Sequence, residues 1–220
     1  MKRRRVEKPA SNPTAPAPER SVFINCPFDA EYRPLFDAIV FAITSCGYIP
    51  RCALETGNIS DPRMDQIYKA LTSSRYSIHD LSRCKGEGDA SLARFNMPLE
   101  FGIAFGKAYL KYKGQRLHDW LVLLPSGHFY KQCVSDLGGY DPYTHMNTVG
   151  SIVQPVMAWL ATRPNARSTP SPDQVMEKMK DFQSEMEKQR ETWGEYLPWK
   201  NVLRAAQGLA PPPPPQVKRT

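Results

Sequence analysis

"SVFINCPFDAEYRPLFDAIVFAITSCGYIPRCAL", residues 21–54, decides the fold. Its first five residues form a short apolar run that reads as a strand. The run stops at "CPFD", where Pro27 cannot donate a ladder hydrogen bond. "EYRPLFDAIVFAITSCG" then reads as a helix. Leu35, Ile39 and Ala42 share a face with Phe36, Ile43 and Cys46, and Gly47 is placed to end it. "YIPRCAL" (48–54) is a second strand, which Pro50 marks as an edge.

The same alternation continues along the chain. "DPRMDQIYKALTSS" reads as a helix with Asp61 as N-cap and Pro62 at its first position; Met64, Ile67, Tyr68 and Leu71 form the apolar stripe. "RYSIHDLS" (75–82) is a third strand. A polar loop, "RCKGEGDASLAR", leads to "MPLEFGIAFGKAYL", a third helix with Pro98 near its start. The continuous apolar run "WLVLLP" (120–125) predicts a fully buried strand. The order β-α-β-α-β-α-β predicts an α/β protein with a Rossmann- or flavodoxin-like parallel sheet and helices on both faces. Ligands of such sheets bind beyond the carboxyl ends of the strands. Three polar clusters fall there: Asn25 to Phe28, Asp80 to Ser82, and Arg94 to Glu100.

C-terminal helices are expected to follow. "VGSIVQPVMAWLA" predicts a helix interrupted near Pro155. "DQVMEKMKDFQSEMEKQRETW" predicts a long amphipathic helix with Val175, Met179, Phe182 and Met186 on one stripe, and "YLPWKNVLRAA" comes after it. These helices pack on the domain edge or form a dimer surface. "SDLGGYDPYTH" (135–145) reads as a turn in which Asp141 caps the next helix, or as a loop placing Asp136 or His145 over the cleft. The expected divisions are a disordered basic tail (1–20), an α/β domain (21–165), a helical extension (166–208) and a disordered proline-rich tail (209–220).

Composition narrows the function classes. The 220 residues are 41% hydrophobic and 23% charged, ordinary for a soluble protein. No apolar run reaches membrane-spanning length, and the N-terminus lacks the apolar stretch of a secretory signal. The net charge of +7 sits mainly in the tails: residues 1–20 carry +4, the last ten +2, and residues 21–210 only +1. Nucleic-acid binding is therefore not expected beyond weak contact by the basic tails. Five cysteines, an odd number with no CxxC pair, and four histidines without ligand spacing predict a cytoplasmic protein with no structural metal. No GxGxxG follows the first strand, and neither GxxxxGK[ST] nor GxSxG occurs. Cys26 and His79 could form a nucleophilic pair, although cysteine is commonly a buried residue.

Glu100 lies among apolar residues in the first turn of the third helix, where the helix dipole favours an anion. Because that helix follows the third strand, Glu100 is expected at the cleft rim, facing a solvent-wet Asp80. Gly102 and Gly106 would let the helix approach the sheet.

"MDQIYKALTSSRYSIHDLS" and "NMPLEFGIAFGKAYL" together resemble the second half of nucleoside 2-deoxyribosyltransferases and their relatives, the TIR-type NAD glycohydrolases. Asp80, Glu100, Gly102, Gly106 and Lys107 match the positions that carry the likeness, which covers roughly residues 21–125. "VFINCPFD" is similar in place to the first strand and substrate-contacting loop. The resemblance implies a catalytic carboxylate at Glu100 working on an N-glycosidic bond, with bacterial defence as a setting. Substrate contacts would come from Asn25, Pro27, Phe28, Arg51, Asp80, Ser82, Arg94 and Asn96. The transferases have an acid six positions before the glutamate, where this chain has Arg94, and the Ser or aromatic-Cys stretch of TIR domains is missing. One carboxylate suits NAD, whose nicotinamide leaves without an acid, and Arg94 suits a phosphate-bearing ligand. The expectation is an N-glycosidase taking NAD or another nucleotide as substrate, with no further cofactor, acting as a homo-oligomer away from membranes. A nucleotide-sensing module, a deoxyribosyltransferase-like enzyme and an interaction scaffold are the alternatives.

Overall fold

The computed structural model of the chain describes residues 17–55, 61–83, 95–112, 114–127, 139–164 and 166–214. Strand β1 (Ser21–Asn25) is followed by helix α1 (Arg33–Ser45), β2 (Ile49–Cys52), α2 (Arg63–Thr72), β3 (Tyr76–Asp80) and α3 (Asn96–Tyr109). Next come a small antiparallel hairpin of β4 (Lys111–Tyr112) and β5 (Gln115–Arg116), then β6 (Asp119–Pro125) and β7 (Tyr143–His145). Three helices finish the described chain: α4 (Val149–Ala161), α5 (Pro172–Trp193) and α6 (Trp199–Leu209).

The main sheet has the order β2-β1-β3-β6-β7 and every neighbouring pair is parallel. This is the flavodoxin-type winding, with its switch point between β1 and β3. β2 is an edge strand, as Pro50 predicts. β7 is a strand where a turn was expected. Its three residues, Tyr143, Thr144 and His145, continue the ladder from Leu123, Leu124 and Pro125.

Strand alternation sorts the core. Val22, Ile24, Tyr76, Ile78, Leu121 and Leu123 face α1, α4, α5 and α6 in one large cluster. On the opposite face, Phe23 meets Ile67, Leu71 and Ala104, while Val122 and Leu124 meet Met97 and Phe101. Helix α1 is apolar around most of its girth, from Ala38 through Ile43, as expected of a helix buried on all sides. The sheet covers one flank. The predicted stripe Val175, Met179, Phe182 and Met186 of α5 covers another, with Phe182 stacked on Phe41 at 4.8 Å between ring centroids. The C-terminal helices thus form an outer layer of the same core. Asp37, buried inside α1, receives a two-pronged bond from Arg190 of α5 (2.6 and 2.8 Å).

Three local expectations are corrected. Helix α4 runs through Pro155 without a break. The missing N–H costs about 3 kcal/mol, whereas six buried side chains around it each contribute roughly 1.5–3 kcal/mol. On α2 the buried residues are Ile67, Ala70 and Leu71, while Met64 and Tyr68 are exposed; the helix starts at Arg63, with Pro62 as N-cap. Residues 17–20, expected within the disordered tail, are held in place as a short helical turn. Arg75 N–H donates to the Pro18 carbonyl, and the Arg20 guanidinium donates to the Gly47 carbonyl while lying over the Tyr48 ring.

Replacing Phe182 by Ala removes the α1–α5 stack and leaves a cavity. Urea unfolding should show a loss of about 3–5 kcal/mol; a loss below about 1 kcal/mol would mean that α5 is only loosely applied to the core.

Candidate functional site

The face of β3 toward α3 carries Ser77 and His79, both fully buried. They are satisfied by a chain of hydrogen bonds with one polarity. Asn25 Nδ2 donates to the Met97 carbonyl at 2.8 Å and lies 3.0 Å from His79 Nδ1. The carbonyl fixes which end of the amide is the nitrogen, so His79 Nδ1 must accept and its proton sits on Nε2. That proton goes to Ser77 Oγ (2.7 Å). The Ser77 hydroxyl donates to His118 Nε2 (2.7 Å), and His118 Nδ1–H donates to the Ser74 carbonyl (3.0 Å). Both imidazoles are neutral. Burial holds His79 well below its ordinary range; burial, then the Lys107 charge, brings His118 to about 3. Lys107 Nζ donates to the Thr72 and Ser74 carbonyls (2.6 and 2.7 Å) at the end of α2. Burial lowers its pKa to about 8. The clamp at Met97 seats the first turn of α3 against the carboxyl end of β1.

Asp80 ends β3 and is fully buried, not wet. Its Oδ1 accepts from Ser82 N–H (2.8 Å) and from the Ser82 hydroxyl; its Oδ2 accepts from Tyr32 O–H at 2.5 Å. His145 Nε2 lies 2.9 Å from Oδ2, close enough for an ion pair though off the line of a hydrogen bond. Hydroxyl and imidazole both address the carboxylate, not each other, so this is no nucleophile–base relay. Burial, then the Asp80 charge, drives the Tyr32 pKa well up. Asp80 joins the approach to α1, the turn after β3, and β7.

Glu100 sits differently. It is half-buried one turn into α3, within electrostatic range of Cys26 after β1 and Arg63 at the start of α2. No hydrogen bond or ion pair reaches it among the described residues. Every other acid there that is not exposed has a partner, as Asp37 has Arg190, Glu55 has Arg51 and Asp119 has Arg163. Burial raises the Glu100 pKa to about 7, with Arg63 opposing. The cavities beside Trp120, between α1 and α5, and between α5 and α6 lie away from Glu100.

The nine expected site residues therefore separate. Glu100 and the exposed Asn96 remain available at the start of α3. Asn25, Asp80 and Ser82 are buried and spend their polar atoms on the fold. Pro27 is buried, and Phe28 packs edge-on against Phe36. Arg51 is held by Glu55 at 2.6 and 2.7 Å. Arg94 and Asp136 lie outside the described residues. Cys26 and His79 make no pair: His79 is engaged on both nitrogens, and burial, then Asp80, holds the Cys26 thiol well up. Gly102 and Gly106 face away from the sheet, with no described atom within 4 Å of where a Cβ would stand; Phe101, Ala104 and Ala108 make the approach. Thr148, not Asp141, caps α4, and His145 is buried beneath the cleft. Arg63 was missed, although a cation in the first turn of a helix opposes the dipole and is a signal in itself. Searches against known protein families and curated sequences find no match.

Two predictions follow from the contrasting carboxylates. Asp80→Asn turns one acceptor into a donor facing donors, so it should cost about 3 kcal/mol and several degrees in Tm. A normal Tm with impaired ligand binding would return Asp80 to the cleft. For Glu100 the folded pKa is above the free value of 4.5. The ionised form is thus penalised by folding, and wild-type stability falls as pH rises from about 4.5 through 7. Glu100→Gln should be more stable than wild type at pH 8, by up to about 3 kcal/mol, and equal to it near pH 4. Equal stability at both pH values would mean that the carboxylate is solvated.

Proposed function

We propose that the chain cleaves the ribosyl C1–N bond of a pyridinium nucleotide of the NAD type, with Glu100 as the catalytic carboxylate. One observation carries this reading: a half-buried carboxylate that has no hydrogen bond or ion pair among the described residues stands at the start of α3, near the switch point of the sheet. Such a group is stabilised by an incoming positive charge. An N-ribosyl pyridinium supplies one in the ground state, and its reaction passes through an oxocarbenium-like transition state.

The chemistry needs few groups. As the C1–N bond breaks, its electron pair leaves with the pyridine nitrogen, whose formal charge is thereby neutralised; no proton is required. Glu100, ionised once the cation binds, stabilises the positive charge growing at C1 or forms a ribosyl ester there. Water then bonds to C1, breaking the C1–O bond to Glu100 where the ester has formed, and gives up its proton to the Glu100 carboxylate or to solvent. Asn96, exposed four residues before Glu100, would contact the ribose hydroxyls.

A second reading is a nucleotide-sensing module without turnover. It is favoured by the structural roles of Asp80 and Asn25, which leave Glu100 as the free acid there among the described residues. Stabilisation by NAD without nicotinamide release would favour it.

The test is release of nicotinamide from NAD by purified full-length chain at high protein concentration. Wild type should turn over, with kcat/KM rising with pH to a plateau above about 7 as Glu100 ionises. Glu100→Gln should lower kcat by roughly 10²–10³, the effect of losing about 3–4 kcal/mol of transition-state stabilisation. Undiminished cleavage by the Gln variant would remove Glu100 from the mechanism.

A further inference from the structure

The amino end of the sheet, opposite the Glu100 cleft, gathers cations on aromatic rings. Tyr76 meets Tyr48 and Trp159 edge to face, at 5.6 and 5.9 Å between ring centroids. Each ring carries an arginine on its face: Arg20 over Tyr48 at 4.6 Å, Arg75 over Tyr76 at 5.2 Å, and Arg163 over Trp159 at 4.7 Å. Strand order brings them together. Arg20, Tyr48 and Arg75 immediately precede β1, β2 and β3, and β1 lies between the other two in a parallel sheet. Arg167 joins the group: a Cβ on Gly47 would stand 3.3 Å from Arg20 Nη2 and 3.7 Å from Arg167 Cδ.

These cations are not equally engaged. The Arg163 guanidinium donates to Asp119, to the Trp159 carbonyl (3.0 Å) and to the Thr162 hydroxyl (2.7 Å). Arg20 donates to the Gly47 carbonyl. Arg75 is tied through its backbone, whose N–H donates to Pro18 and whose carbonyl accepts from Asp119. Its guanidinium has no acceptor among the described residues, and Nη1 is buried. Beneath it Tyr76 is 1% exposed, and its hydroxyl is also buried without a partner. Burial raises the Tyr76 pKa; Arg75 foremost, then Arg163 and Arg20, oppose, and Asp119 adds to the rise. Among the described residues, Asp119 and the exposed Glu19 are the acids set against four guanidiniums, and Lys107 brings a further charge within range of Arg75. The crowding is felt at Arg20, whose pKa is lowered by burial and then by Arg167.

Two neighbouring buried donors without an acceptor, inside a net positive cluster, match an anion with several acceptor oxygens. Water could accept from both donors, but it would leave the charge uncompensated. A guanidinium fork fits the oxygens of a phosphate in two-pronged fashion. The cluster reaches the surface, because Arg20, Arg75 and Arg163 are half-buried and Arg167 is exposed. Only the ring face holds the Arg75 guanidinium, so it can turn outward onto an oxyanion and uncover the hydroxyl below.

We propose that the amino end of the sheet binds a phosphate group, gripped by the Arg75 guanidinium and the Tyr76 hydroxyl, with Arg20 and Arg167 supplying charge around it. The site is separate from the Glu100 cleft and does not depend on the reaction assigned there.

The test titrates full-length chain with inorganic phosphate and, separately, with adenosine 5′-monophosphate, by calorimetry at fixed ionic strength. Wild type should bind phosphate saturably, with a Kd at or below about 1 mM. Equal affinity for the two ligands assigns the site to the phosphate group alone. Tighter binding of the nucleotide that is lost in Arg75→Gln assigns it to a nucleotide phosphate. Arg75→Gln should weaken binding about tenfold or more, the effect of losing a charge-assisted pair. Tyr76→Phe should weaken it severalfold. In chloride buffer the same variant should melt no lower than wild type, because it removes a hydroxyl that has no acceptor. Arg204→Gln, at an exposed position on α6, should bind as wild type does. The proposal is overturned if neither ligand binds saturably, or if Arg75→Gln or Tyr76→Phe binds phosphate as tightly as wild type. Equal weakening by Arg204→Gln would overturn it by assigning the effect to net charge. A Tm several degrees lower for Tyr76→Phe in chloride would overturn it by showing that the hydroxyl holds the fold. Nucleotide binding that is lost in Glu100→Gln and kept in Arg75→Gln would overturn it for the nucleotide, by placing that ligand in the other cleft.

Discussion

The amide of Asn25 is the contact on which the site depends. Its nitrogen holds the Met97 carbonyl and, at the same time, fixes the tautomer of His79. From there the proton order of Ser77, His118 and the Ser74 carbonyl is determined. Four buried polar side chains would be a liability if any one lacked a partner, since each orphan costs about 1–3 kcal/mol. Joined in one direction they are all satisfied, and they join the sheet's carboxyl end at Asn25 to its amino end at Ser74. Helix α3 can then take one seat, which sets where Glu100 stands.

The two carboxylates at this end of the sheet show how environment divides labour between like groups. Asp80 is deeper, yet donors surround both its oxygens. Glu100 is shallower and has no donor among the described residues, and burial raises its pKa. Satisfaction of lone pairs decides which carboxylate holds the fold and which is free to respond to a ligand.

The fold was legible because its strands and helices alternate with clear changes of hydrophobic period. The α/β class, the edge position of β2 and the inward stripe of α5 were all available from the sequence. β7 was hidden because "YTH" is too short and polar to show a period; its strand character comes from pairing with β6. The rotation of α3 was also hidden. Met97, Phe101, Ala104 and Ala108 form one apolar line at helical spacing, and Leu99, Gly102 and Gly106 form another. Periodicity cannot choose between two such lines; the Asn25 clamp does. In β3, alternation of Tyr76 and Ile78 with Ser77 and His79 suggests a wet second face. That face is dry because its polar groups satisfy one another and His118, a residue that carries no motif.

The outer helical layer explains why α1 can be so apolar and still contain Asp37. A helix covered only by a sheet would keep a polar stripe for solvent. Here α5 removes the solvent, and Arg190 replaces water at the single acid left inside. Burial still raises the Asp37 pKa despite the arginine, so the pair offsets its own desolvation incompletely. Its geometry nevertheless fixes the register of α5 on α1, because a slip of one turn would strand both charges away from water. The same rule, that a buried charge needs a matched partner, is obeyed by Asp37 and by Asp80 in their different ways. Among the described residues, Glu100 is the acid that departs from it, and the departure stands where a parallel sheet receives its ligand.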